Sequence, residues 1–145
     1  MTACRLVMFL ALVVSLPAHA ATTCDALTAT GAWVREPPPV ANVAAGYVSL
    51  TNTGNGPLTV ARIESDCCGS VMMHDTVSDG DRVRMMHLDS LHLGAGETVD
   101  FVPGGKHLML MAPRKPLRAG ESLGLDFICD DGGTRRIAFD IMKAR

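Results

Sequence analysis

Histidine and methionine recur together in one part of this chain. His74 follows Met72 and Met73, His87 follows Met85 and Met86, and His107 is followed at alternate positions by Met109 and Met111. Six of the seven methionines beyond residue 20, together with His74, His87 and His107, fall between Met72 and Met111, whereas other apolar segments use Val, Ile, Leu and Phe. Thioether sulfur is soft and uncharged and selects Cu(I), and imidazole suits copper well. Methionine also cannot be lost to disulfide formation in an oxidising compartment. Against this stands a simpler reading, in which methionine fills gaps in a core and a strand histidine is a hydrogen-bonded structural residue. Concentration of both residue types in one stretch favours ligands over filler.

These side chains need elements to position them. Runs of apolar and polar residues in alternation, from ATGAWVR (29–35) and AAGYVSLTN (44–52) to LGLDFICD (123–130) and TRRIAFDIM (134–142), are separated by turn formers such as TGNGP, SDGD, GAGE and DDGG. Short strands at close spacing without a helical period predict an all-β antiparallel sandwich or barrel. Asp79-Gly80 is a preferred dipeptide for a two-residue hairpin turn. With those two residues as its centre, His74 opposes Met85, Met72 opposes His87 and Asp75 opposes Arg84. Alternation then places Met72, His74, Met85 and His87 on one face, and Met73, Asp75, Arg84 and Met86 on the other. In GGKHLMLM (104–111), Leu108 and Leu110 are expected in the core while His107 and Met109 project from it, with Met111 a bystander or shield.

Competing metal chemistries fit less well. Carboxylates, which Mg, Ca or Mn would want, are missing from the inferred ligand face. A blue-copper centre needs a cysteine with two histidines, yet no histidine follows Cys129. Paired Cys-x-x-Cys or His-x3-His spacing for structural zinc is lacking. No nucleophile and base form a recognisable catalytic motif, so an enzyme is not expected.

The ends and the composition bound the rest. With 145 residues, 48% of them hydrophobic, the chain suits one domain with its own core. Residues 1–20, MTACRLVMFLALVVSLPAHA, carry Arg5, an apolar run from Leu6 to Leu16 and Ala18-His19-Ala20, which reads as a secretory signal peptide. The expected mature domain is 21–145, exported to the periplasm. The apolar run is short for a bilayer, and no membrane insertion is expected. The formal net charge of −2 becomes one unit more negative once Arg5 leaves, which gives no sign of nucleic-acid or anionic-membrane binding. Export makes disulfides the default for Cys24, Cys67, Cys68 and Cys129. A bond between neighbours Cys67 and Cys68 would be strained, so Cys24 and Cys129 are each expected to take one of that pair. Trp33 and Arg35 are assigned to structure.

The spacing of His74, Met85, His107 and Met109 fits H-x10-M-x21-H-x-M, and in this the chain resembles the periplasmic PCu(A)C copper-chaperone family. AWVREPPP, AAGYVSLTNTG, PGGKHLMLM and PLRAGE resemble that family's opening and closing segments. The resemblance implies a cupredoxin-like Greek-key β-sandwich that binds one Cu(I) through His74, Met85, His107 and Met109. It also implies delivery to the copper-bearing subunit of cytochrome c oxidase, sometimes with a thioredoxin-like assembly protein. Two other readings use the same residues: a periplasmic copper storage or tolerance protein, and a metal-free secreted interaction domain with an adaptable methionine patch.

Overall fold

The structure is a computed structural model and describes residues 22–80 and 82–143. The expected signal peptide lies outside the described residues. After a 3-10 turn at Thr23–Ala26 come ten strands: β1 (Leu27–Arg35), β2 (Val43–Asn52), β3 (Leu58–Glu64), β4 (Cys68–Asp79), β5 (Arg82–Leu88), β6 (Leu91–Leu93), β7 (Thr98–Phe101), β8 (His107–Pro113), β9 (Ser122–Cys129) and β10 (Thr134–Met142). Among the described residues there is no α-helix, and no helix is long and apolar enough to cross a membrane. The all-β expectation from turn spacing and alternation is borne out.

Hydrogen-bonded neighbours run in the order β5-β4-β8-β2-β1-β10-β9-β3-β6, with β7 pairing β2 and a further contact between β4 and β3 at Ile63 and Val71. The β3–β4 contact turns the open path into a flattened ring, which leaves β5 attached outside it through β4 alone. All pairings are antiparallel except β1 with β10, where Trp33, Val34 and Arg35 run beside Asp140, Ile141 and Met142. Parallel neighbours need a long connection, and here nearly the whole domain serves as one.

Alternation fills the ring. Leu27, Val34, Leu50, Phe101, Leu108, Leu110, Leu125, Phe127 and Phe139 are fully or almost fully buried, and the Phe127 and Phe139 rings stack 6.4 Å apart at 9°. Burying side chains of this size contributes about 1.5–3 kcal/mol each. The buried amide of Asn52 spans the β2 exit: its Nδ2 donates to the carbonyls of Gly56, Leu93 and Gly94, while its Oδ1 accepts from Gly54 N–H.

The expected cysteine pairing is corrected. Cys24 is bonded to Cys129, while Cys67 and Cys68 are free thiols. The 3-10 turn packs against β9 and β10, held there by Asp131, whose Oδ2 accepts from the backbone and hydroxyl of Thr23. That places Cys24 beside the end of β9, a juxtaposition that only the folded chain creates.

Candidate metal-binding site

The β4–β5 hairpin carries the candidate site, and its register differs from the expected one. Asp79 pairs with Arg82, Thr76 with Met85, Asp75 with Met86 and His74 with His87. Gly80, at φ +60°, therefore takes the first central turn position, where type I′ and II′ turns both need positive φ. The turn lies one residue later than expected, so each facing pair slips. Because the slip changes each pairing by two residues, parity is kept: Met72, His74, Met85 and His87 still share one face. The Asp75–Arg84 pair is not formed. Asp75 instead accepts from Lys106 Nζ at 2.9 Å.

Strand β4 changes neighbours along its length. Its first half pairs with β8 (Met72 with Met109, Met73 with Leu108, His74 with His107), and its second half pairs with β5 from Met73 onward. Only at Met73 and His74 are both neighbours present. The inward row is Leu88, Met73 and Leu108, of which Met73 and Leu108 are buried in the core. The outward row is His87, His74 and His107. Its imidazole centroids lie 5.3 Å (His74 to His87) and 5.8 Å (His74 to His107) apart.

The thioethers flank this row. Met72, Met109 and Ala45 of β2 form the outward row on one side, and Thr76 with Met85 forms it on the other. Each row stands roughly 7 Å from the histidines, a span that an unbranched methionine side chain covers. A cleft of about 340 Å³ brings Met85, His107 and Met109 together over Ala45, Tyr47 and Thr76, bounded by Pro37 and Pro38 of the β1–β2 connection. The β4–β5 and β4–β8 registers together bring four residues spread over thirty-six positions of sequence onto one surface.

Hydrogen bonding prepares the rings. His107 is 8% exposed, and its Nδ1 faces the Gly105 carbonyl at 3.0 Å. Nδ1 therefore donates to that carbonyl, which leaves Nε2 as the ring nitrogen free to face a metal, the arrangement in which a backbone carbonyl orients a metal-binding imidazole. His74 Nδ1 is buried without a hydrogen-bond partner. Burial, followed by the neighbouring His87 and His107, holds the His74 pKa below its usual value, so its ring is neutral and able to donate a lone pair at neutral pH. Among the described residues no three His, Cys, Asp or Glu side chains are grouped to hold a metal ion. An ion held at this face would therefore need methionine sulfur beside imidazole, a donor combination that suits a soft monovalent ion.

His74, Met85, His107 and Met109 thus lie on one surface. Of the residues named from sequence, Met111 sits further along β8 opposite Ser70 and Val43, and Met86 points to the other face of the hairpin. Trp33 packs on Tyr47 with ring centroids 4.7 Å apart, on the outer face rather than in the core. Ala45 and Thr76 were not singled out from sequence. They are the short side chains opposite Met109 and Met85, and their sole signal lies in cross-strand register.

Comparison with known proteins agrees with this architecture. The LpqE-like family model matches residues 27–141, from the start of β1 almost to the end of β10. Protein Lxx21020 of Leifsonia xyli subsp. xyli is 31% identical over 132 residues, covering 88% of this chain and 78% of that protein. Among solved structures, the Cu(I) form of DR1885 from Deinococcus radiodurans is similar at 29% identity and a TM-score of 0.64, covering 78% of this chain and 76% of that one. The copper-bound PCuAC domain of PmoF2 shares the fold, with a TM-score of 0.70 at 19% identity over 87% of this chain and 97% of that domain.

Proposed function

The chain belongs to the LpqE-like family and has the fold of PCuAC domains, and from that premise we propose that it is an exported copper chaperone. It carries one Cu(I) as cargo through His74, Met85, His107 and Met109. The observation that carries this reading is the outward face of β4, β5 and β8, where a neutral, unpartnered His74 ring faces His107 between two flanking methionine rows. The similar DR1885 has been solved with Cu(I), which supports the same ion here.

Four uncharged donors at a partly exposed face fit a carrier. No carboxylate or thiolate holds the ion by charge, so an incoming ligand can replace the thioethers one at a time. Met85, 56% exposed and on the outermost strand, is the first donor such a partner reaches, and His107, the most enclosed, is the last. The protein makes and breaks only coordination bonds. Residues 1–20 act as a cleaved signal, residues 21–145 form the working domain, and the periplasm is the compartment. There the acceptor is the copper-bearing subunit of cytochrome c oxidase, with a thioredoxin-like assembly protein as a further partner.

Anaerobic titration of the mature protein with Cu(I) against a chromophoric chelator tests the cargo, and copper X-ray absorption of the loaded form tests the mixed nitrogen and sulfur donors. A sphere lacking sulfur at one equivalent contradicts the assignment. Oxidase activity of a deletion strain at limiting copper tests the delivery step, because a protein that only sequesters copper leaves it unchanged.

A further inference from the structure

Cys67 and Cys68 take no part in the His/Met face or in the Cys24–Cys129 bond. Adjacent residues of an extended strand point to opposite sides, but β4 begins only at Cys68, and Cys67 belongs to the turn before it. Their sulfurs converge to 3.4 Å, with the Cys67 thiol donating to Cys68 Sγ. Six residues of strand separate Cys68 from His74, roughly 20 Å, so the thiols cannot share an ion with the imidazoles.

Two properties make this pair more than two spare cysteines. Neighbouring Cα atoms are held about 3.8 Å apart by the trans peptide, less than the roughly 4.4–6.8 Å that disulfides adopt. A bond between these neighbours is therefore strained and readily reduced, and the thiols persist in an oxidising compartment that cross-links Cys24 to Cys129. The second property is access and charge. Cys67 is partly exposed and Cys68 buried; they line neighbouring clefts of about 360 and 350 Å³ respectively, and Arg114 lines both. Arg114 is fixed beside the pair by its backbone N–H, which donates to the Cys67 carbonyl at 2.8 Å.

We propose that Cys67 and Cys68 form a second, thiol-only site for a soft monovalent ion, Cu(I), at the far end of β4 from the His/Met face. Each thiol releases one proton and each sulfur forms one bond to the ion, which leaves a complex of net charge −1 that the Arg114 guanidinium offsets. With metal–sulfur bonds of about 2.3 Å, sulfurs 3.4 Å apart enclose an angle of roughly 95° at the metal. That bent chelate leaves positions open for an incoming thiol or thioether. Burial, followed by the neighbouring Cys67, pushes the Cys68 thiol up to about 12, with Arg114 acting against them. The Cys68 thiol thus keeps its proton until a metal displaces it.

The test is a Cu(I) competition titration of the mature chain under anaerobic conditions, alongside the C67S/C68S and H74A/M109L variants. The wild type should bind two equivalents and each variant one, and X-ray absorption of loaded H74A/M109L should show sulfur neighbours only. Far-UV circular dichroism checks folding, and C67S alone, at the less buried position, serves if the double variant is unstable. A cysteine variant that binds as many equivalents as the wild type overturns the proposal. So does the absence of free thiol in denatured, unreduced protein. Failure of the His/Met site is a separate outcome, in which H74A/M109L keeps the wild-type stoichiometry while C67S/C68S loses one equivalent.

Discussion

His74 stands directly opposite His107 on the outer face of the β4–β8 ladder, ring centroids 5.8 Å apart, at the one place where β4 also still pairs with β5. The alignment depends on the register between these two strands. Any slip of β4 against β8 by one residue would turn His74 inward and bring Met73 out.

Removing a donor should therefore weaken Cu(I) binding without unfolding the protein. Met109→Leu nearly conserves volume, so its stability cost should stay below about 1.5 kcal/mol. Loss of the sulfur should weaken affinity at least about tenfold. His74→Ala should do the same, and a Cu(I) competition assay beside thermal unfolding separates the two effects. Unchanged affinity in both variants would remove these residues from the site.

The pH behaviour follows from the depressed His74 pKa. Burial and the two neighbouring imidazoles favour the neutral ring in the folded state, so the unfolded chain binds the proton more readily than the folded one. Stability from this residue is present above the ordinary histidine value near 6.5 and is lost as pH falls through the lower folded value. An NMR titration should place the His74 midpoint below 6.5, and His87→Ala, which removes one of the neighbours, should raise it. A midpoint at or above the ordinary value would contradict the buried, crowded ring.

Met72, Met73, Met85 and Met86 look interchangeable in composition, but alternation divides them. Met73 is 3% exposed and packs beside Leu108, whereas Met86 is 52% exposed. Met73→Ala should cost about 2–5 kcal/mol through the cavity it leaves, and Met86→Ala should stay within about 0.5 kcal/mol. Neither should abolish Cu(I) binding in protein that remains folded. Chemical denaturation of the two variants checks the contrast, and equal costs would mean that the hairpin faces are assigned wrongly.

Local pattern and global arrangement were legible to different degrees. Alternation located the strands because one face of each is buried, and it gave the hairpin faces correctly although the turn was placed one residue early. Asp79-Gly80 satisfies the usual preference for a turn centre, yet Gly80 occupies the first central position and Asp79 closes the ladder with Arg82. The hairpin's cross-strand partners, and with them Thr76 opposite Met85, depend on that single-residue choice, whereas Ala45 meets Met109 through the β2–β8 register. The parallel β1–β10 seam, the ring closure at Ile63 and Val71, and the Cys24–Cys129 bond join parts of the chain far apart in sequence. No local propensity records them.

Cys24 and Cys129 close a loop of 105 residues, and both are buried in the core. By the chain-entropy model a loop of this length stabilises the fold by about 4.7 kcal/mol, and losing such a bond typically costs about 2–5 kcal/mol. The bond ties the first turn of the domain to the end of β9, while the His/Met face is built on β4, β5 and β8. C24A/C129A should therefore lower the urea midpoint without changing Cu(I) affinity in folded protein. C67S/C68S should lower the midpoint of unreduced protein by less, since those thiols cross-link nothing and the cost is that of a hydroxyl at the buried Cys68 position. The reverse pattern, a large loss for C67S/C68S and none for C24A/C129A, would mean that the bonds are arranged differently.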